Sequence, residues 1–337
     1  MSSAVWLVIF KILFVIKLTT SNPCDTKISH RECYCDYLEN LCPLKQRISL
    51  RLLNDPISAT DCAVNQVKYC DIPDGLMSET CGKKKLTVMR SKKNGEAQTG
   101  EHPWQAVILR RKDDGNFEYI GGGVLINKKH VLTTAHKVDS AILSKLKIRL
   151  GEWDLSSNEE VCEQQDYRAS RIIKHPRFNS DTLESNIALI ILDHEVPLAT
   201  TAHISTACLS TGVPVTGTRC WVAGWGRNPA EFATGSSNLL KDLNVPIVDR
   251  SDCQRQVQRT LGDSYTLPEN AFCAGEGKLE SCMIEGGAPL VCESTPGQWE
   301  VVGLVSAAIS CHQNVPSIYT DVHKFVSWIN QQVFDNY

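Results

Sequence analysis

Gly122-Gly123-Val124-Leu125-Ile126-Asn127-Lys128-Lys129-His130-Val131-Leu132-Thr133-Thr134-Ala135-His136 is the stretch on which the fold turns. Its two short runs, Gly123 to Ile126 and Val131 to Thr134, flank a polar turn, and neither is long enough for a buried helix. Working outward, the same pattern returns at Trp104 to Leu109, Leu146 to Leu150, Ile187 to Leu192, Cys220 to Ala223, Pro289 to Cys292 and Val301 to Val305. Many short strands with almost no long helical periodicity predict an all-β barrel or sandwich domain of roughly 240 residues. The exception is the end of the chain, where Val322, Phe325, Val326, Ile329 and Val333 recur at helical spacing. They predict an amphipathic C-terminal helix that docks on the barrel rather than on a membrane.

Composition bounds what such a chain can do. Of its 337 residues 42% are apolar, enough for one large core plus a small satellite. The 35 Lys and Arg nearly balance 38 Asp and Glu, so the net charge of -3 gives no general reason to bind nucleic acid or an anionic membrane. Fifteen Cys would be a hazard in a reducing cytosol, whereas behind an export signal they read as disulfide partners. Met1 to Ser21 is the one strongly apolar N-terminal stretch, and it is read as a cleaved signal peptide. Lys11 and Lys17 interrupt it, which fits a membrane span poorly. No Asn-x-Ser/Thr acceptor and no four-ligand zinc spacing occurs, so neither N-glycosylation, a metal nor a cofactor is expected.

The cysteines divide the chain. Six lie at 24, 33, 35, 42, 62 and 70, and with few large apolar neighbours they predict a small disulfide-stapled module over 22–82. Fifteen pairings are open to it. Residues 83–90 follow as a basic linker, with Lys83, Lys84, Lys85 and Arg90, expected to be exposed and easily nicked. The β domain takes up 91–334.

Five ordered motifs carry a resemblance. Gly122 to Ile126 followed by Val131 to His136, then Asn186-Ile187-Ala188-Leu189, Trp221 to Gly226, Cys282 to Cys292 and Pro316 to Thr320 resemble chymotrypsin-like serine proteases. The resemblance implies two six-stranded antiparallel β-barrels with a cleft between them and a C-terminal helix. It also assigns the catalytic positions, and there the chain departs from the family. His136 matches the triad His, but Asn186 stands at the Asp position and Gly286 at the Ser position. Glycine supplies no nucleophile. An amide beside the imidazole can favour the tautomer that cannot accept a proton, a loss of about 10⁴-fold in the best-known serine-protease case. His130 and His136 do not form a His-Glu-x-x-His pattern, so His136 is read as inert rather than as a zinc ligand.

Other departures point the same way. Ile284 replaces the Gly whose backbone turn aims an N–H at the developing oxyanion, and Glu285 replaces the Asp beside which a new amino terminus inserts. Arg90 matches the residue cleaved in zymogens, yet Ser91-Lys92-Lys93-Asn94 follows it where the family has Ile-Val-Gly-Gly. Glu280 falls at the base of the specificity pocket, and after Ser306 the residues Ala307 and Ala308 replace the usual Trp and Gly. An active endopeptidase would need an unusual nucleophile such as Ser281.

The resemblance further implies the disulfides Cys81-Cys208, Cys220-Cys292, Cys253-Cys273 and Cys282-Cys311. The staple beside the catalytic His is lost at both ends, where Gly121 and Lys137 stand. Cys162 remains over, among Glu159, Glu160, Glu163 and Asp166, and is expected in an exposed loop where it cross-links to another chain or to the N-terminal module. Gly151-Glu152-Trp153-Asp154, the run around His175-Pro176-Arg177-Phe178-Asn179, and the N-terminal cysteines are similar to arthropod clip-domain proteins, in particular the non-catalytic serine protease homologues. That likeness implies a secreted, extracellular pseudoprotease acting as a protein-binding cofactor or regulator, with cascade proteases or prophenoloxidase as partners in melanization and innate immunity. An adhesion or reproductive-fluid binding protein is the alternative.

Overall fold

The computed structural model describes residues 81–87, 95–156, 162–226, 238–276, 284–309 and 315–336, together with the backbone of three strands nearer the N-terminus. Those strands are β1 (Thr26–Ile28), β2 (Arg31–Tyr37) and β3 (Gln66–Cys70). They form an antiparallel sheet completed by β4 (Leu86–Thr87), whose register pairs Lys68 with Thr87. The expected leader, Arg90, Glu280, Ser281 and the Cys282-Cys311 bond lie outside the described residues.

Six strands close the first barrel in the order β10-β7-β6-β5-β8-β9. They are β5 (Gln105–Arg111), β6 (Phe117–Asn127), β7 (His130–Thr133), β8 (Leu146–Leu150), β9 (Gln165–Lys174) and β10 (Ala188–Leu192). The second sheet holds β11 (Cys208–Leu209), β12 (Arg219–Gly224), β13 (Lys241–Val248), β14 (Ala271–Ala274), β15 (Pro289–Thr295), β16 (Gln298–Ala307) and β17 (Ser317–Asp321). Pairing of β16 with β17 closes six of these into the second barrel, and β11 lies parallel to β16 outside the ring. Two six-stranded antiparallel barrels are therefore present.

The continuous apolar runs have a simple cause: both faces of these strands are buried. Leu125 and Val131 fill the first barrel. Their neighbours Val124 and Leu132 turn outward into a seam with Val291, Val301 and Leu304 of the second barrel. Val322, Phe325 and Ile329 cap that seam from a 3-10 turn (Val322–Phe325) and the terminal helix that continues it, Val326–Asp335. The helix docks on protein, and no helix among the described residues is long and apolar enough to cross a membrane.

Two elements escape the sequence pattern. Strand β9 alternates charged and apolar residues because one face meets water, so no apolar run marks it. A helix at Arg250–Leu261 buries only Cys253 and Val257, one turn apart, too narrow a stripe to register as periodicity. Asp249 caps it, accepting hydrogen bonds from the backbone N–H groups of Ser251 and Asp252.

Disulfides join Cys81 to Cys208, Cys220 to Cys292 and Cys253 to Cys273. Cys162 corrects the expectation of an exposed residue cross-linked to another chain. It is fully buried and already disulfide-bonded within its own chain, to a cysteine outside the described residues. Acidic neighbours in sequence suggested a surface loop, but the Cys162 side chain is buried while Glu163 beside it is exposed.

The first half of the basic linker also differs from the exposed segment anticipated. Gly82, immediately before it, donates to the Thr206 carbonyl at 2.6 Å and accepts from the Trp299 N–H at 2.9 Å. Lys84 lies 4.3 Å over the Trp299 ring. Lys85 points its ammonium at the carbonyls of Leu198, Ile204 and Thr201, at 2.5, 3.4 and 3.5 Å, and Leu86 is buried. A lysine-rich sequence reads as solvated, yet long stems lie along apolar surface while carbonyls receive the charge.

Candidate functional site

Strand β7 ends at Thr133 and the chain turns into a single helical turn, α1 (Ala135–Val138), which presents His136 at the junction of the two barrels. Asn186 approaches from the segment before β10. Its neighbour Ser185 holds a left-handed backbone (φ 53°), uncommon for a non-glycine residue and kept by a matching partner. Asn270 is that partner, accepting from the Ser185 N–H at 3.2 Å and donating to its hydroxyl at 3.0 Å. Thr320 on β17 adds a hydroxyl that donates to the Asn186 carbonyl at 2.9 Å.

The Asn186 side chain is fully buried and its orientation is set by its neighbours. The backbone N–H of His136, which can only donate, meets Oδ1 at 3.0 Å. That leaves Nδ2 to donate to Nδ1 of His136 at 2.8 Å and to the hydroxyl of Ser306 at 2.8 Å, with Oδ1 farther from Nδ1 at 3.2 Å. An imidazole that accepts at Nδ1 carries its proton on Nε2, the nitrogen facing the cleft. Such a ring cannot take a proton from a group in the cleft. Burial holds His136 below the ordinary imidazole range; the Asn186 bond and Glu285 oppose this, and Lys137 adds to it.

Opposite Nε2 lies Gly286. A Cβ placed there would come within 2.9 Å of His136 Nε2 and 2.6 Å of Lys137 Cε. The loop is seated on both barrels: the Gly122 N–H donates to the Gly286 carbonyl at 3.0 Å and the Gly287 N–H to the Val305 carbonyl at 2.8 Å. Gly287 has φ +85°, and a Cβ on it would meet the Gly122 carbonyl at 2.3 Å, so this position admits only glycine. Ile284 turns inward into the core of the second barrel, against Gly224. Glu285 pairs with Lys137 at 3.0 Å.

The structure thus brings together His136, Asn186, Gly286, Glu285 and Ser306. Ala307 is half-buried and Ala308 exposed beyond them. Two features were not foreseen: the Ser306 hydroxyl bonded to Asn186, and the Lys137 side chain laid across the loop. Only the paired replacements at Gly121 and Lys137 hinted at the second.

The trypsin family model matches residues 92–329, more than two thirds of the chain. The chain belongs to the trypsin family. Among similar proteins, the inactive CLIP domain-containing serine protease A3 of Aedes aegypti is 39% identical over 71% of this chain and 50% of its own length. The inactive CLIP domain-containing serine protease A28 of Anopheles gambiae is 35% identical over 71% of this chain and 63% of its own. Phenoloxidase-activating factor 2 of Galleria mellonella is 35% identical over 72% and 83%. The chain therefore spans about half of the first of these relatives and under two thirds of the second. In this trypsin-family domain both barrels are present, and among the described residues the position opposite His136 Nε2 is Gly286, which carries no hydroxyl.

Proposed function

We propose that this trypsin-family protein is a secreted, non-catalytic regulator of an extracellular protease cascade, one that leads to phenoloxidase activation. One observation carries the reading: Gly286 faces Nε2 of His136 with no side-chain atom to attack a substrate. Asn186 compounds it by holding the proton on Nε2. The two lesions act on different steps, so repairing either alone restores nothing.

The cascade assignment is supported by relatives named inactive clip-domain proteases and a phenoloxidase-activating factor. Six N-terminal cysteines ahead of the domain are in keeping with a clip-like module. In this role the barrel loops bind other proteins and the cleft performs no chemistry.

Reconstitution tests it. Prophenoloxidase and its activating protease are combined with and without the purified full-length protein, and phenoloxidase activity is followed. Enhancement that depends on the active protease is expected, with no hydrolysis of peptide substrates by this protein alone. Hydrolysis by the protein alone, or no effect on prophenoloxidase at any ratio, overturns the corresponding half of the proposal.

A further inference from the structure

Lys137 and Glu285 belong to different barrels, the first to α1 beside β7 and the second to the loop before β15. Their ion pair at 3.0 Å is partly shielded, with side-chain exposures of 22% and 39%. The lysine reaches Glu285 along a defined route. A Cβ on Gly121 would lie 3.0 Å from its Cγ and 3.2 Å from its Cδ, and a Cβ on Gly286 would lie 2.6 Å from its Cε. Successive carbons of the stem therefore cross two glycines, one on each barrel, before the ammonium meets the carboxylate.

Gly286 is not required by its own backbone, because its φ lies outside the left-handed region that favours glycine. What demands the missing side chain is the space taken by Lys137 and His136. Gly287, next to it, is the opposite case, fixed by backbone conformation and close approach. The two adjacent glycines thus have different causes, and only one of them belongs to the loop's architecture.

We propose that Lys137 is a latch: it bridges the two barrels across the centre of the cleft, fixes Glu285 toward the first barrel, and fills the volume above Gly286. Glu285 has its cation from within the domain. The 284–288 loop consequently keeps one conformation whether or not the chain is cut upstream, and the surface that the cleft presents to partners does not depend on processing. A half-exposed pair adds little to global stability, so the latch acts on local opening rather than on the unfolding midpoint. The inference rests on the non-catalytic reading of the cleft, since a substrate acyl group would need the volume the stem occupies.

Hydrogen exchange on the full-length protein tests it. Lys137→Met keeps the stem and removes the charge, and it should speed exchange of the 285–288 amides by about tenfold or more while leaving the melting temperature nearly unchanged. Gly286→Ala should produce the same acceleration by displacing Lys137 Cε, and the double variant should add nothing further. The charge exchange Lys137→Glu with Glu285→Lys should recover protection, and high salt should weaken protection in the wild type and in the exchanged pair but not in Lys137→Met. Proteolysis upstream of Gly95 should leave the exchange pattern of the loop unchanged. Unchanged exchange in Lys137→Met, additive effects in the double variant, or loop protection that appears only after proteolysis would each overturn the latch. Hydrolysis by the wild type would sink the proposed function instead, and it is read in a separate assay.

Discussion

The side-chain amide of Asn186 donates to Nδ1 of His136 at 2.8 Å while its oxygen accepts from the His136 backbone N–H at 3.0 Å. A carboxylate in the same place would accept both hydrogens and leave Nε2 free to act as a base. The amide reverses the polarity of one contact, and with it the tautomer. Gly286→Ser alone should therefore stay inactive, at least about 10⁴-fold below a competent protease from the tautomer alone. The new side chain would also press on Lys137 and His136. Ester turnover and fluorophosphonate labelling check this; labelling of the single variant at position 286 would contradict it.

Cys162 should behave as a structural cysteine. Being fully buried and bonded within its own chain, it should resist alkylation before reduction. Cys162→Ser should cost about 2–5 kcal/mol and lower the secreted yield. Peptide mapping should place Cys162 in a disulfide with another peptide of the same chain. A disulfide-linked dimer that vanishes in the variant, with stability unchanged, would restore the intermolecular role.

Docking of residues 81–86 changes what cleavage would do. Trypsin acting near Arg90 should leave one covalent species on a non-reducing gel through Cys81 and Cys208. After reduction in native buffer the two fragments should still co-elute, held by Lys85 among three carbonyls and by buried Leu86. Lys85→Ala removes the donor from those carbonyls, which costs about 1–3 kcal/mol when such groups lose a partner, and should promote separation of the reduced fragments. Size-exclusion chromatography decides, and spontaneous release of the wild-type fragment on reduction would refute the docking.

Acid should destabilise the domain through His203. Burial pushes this imidazole down to about 4 from 6.5; the Glu163 carbonyl, which accepts from Nε2 at 3.1 Å, opposes the fall and Lys85 adds to it. Because the folded value lies below the unfolded one, the unfolded chain binds the proton more readily. Stability is thus full above about pH 6.5 and declines until about pH 4, by roughly 3 kcal/mol for a shift of this size. His102, His130 and His175 are lowered by burial as well and act in the same direction. Urea titrations between pH 7.5 and 4.5 should show this slope, and His203→Gln should flatten part of it. An identical slope in that variant would remove His203 from the account.

The barrels were legible because their strands are short, apolar and ordered around motifs such as Val131 to His136. Strand β9 and the helix at Arg250–Leu261 were not, since one exposes half its residues and the other buries only Cys253 and Val257. At the site, the losses at Asn186 and Gly286 could be read from residue identity. The contacts of Ser306 and Lys137 could not, because each depends on a partner more than a hundred residues away.

The sequence by itself determined the trypsin-like order of motifs, the absence of a hydroxyl at 286 and the absence of an acid at 186, because these are statements about which atoms exist. Only the tertiary structure decided where Cys162, Lys85 and Lys137 go. A cysteine among acids proved buried, a lysine in a basic run proved caged by carbonyls, and a lysine at a lost disulfide proved to span the cleft. Local polarity describes what a side chain prefers in water. Its place in the fold is settled by the sulfur, carbonyl or carboxylate that distant chain brings within reach.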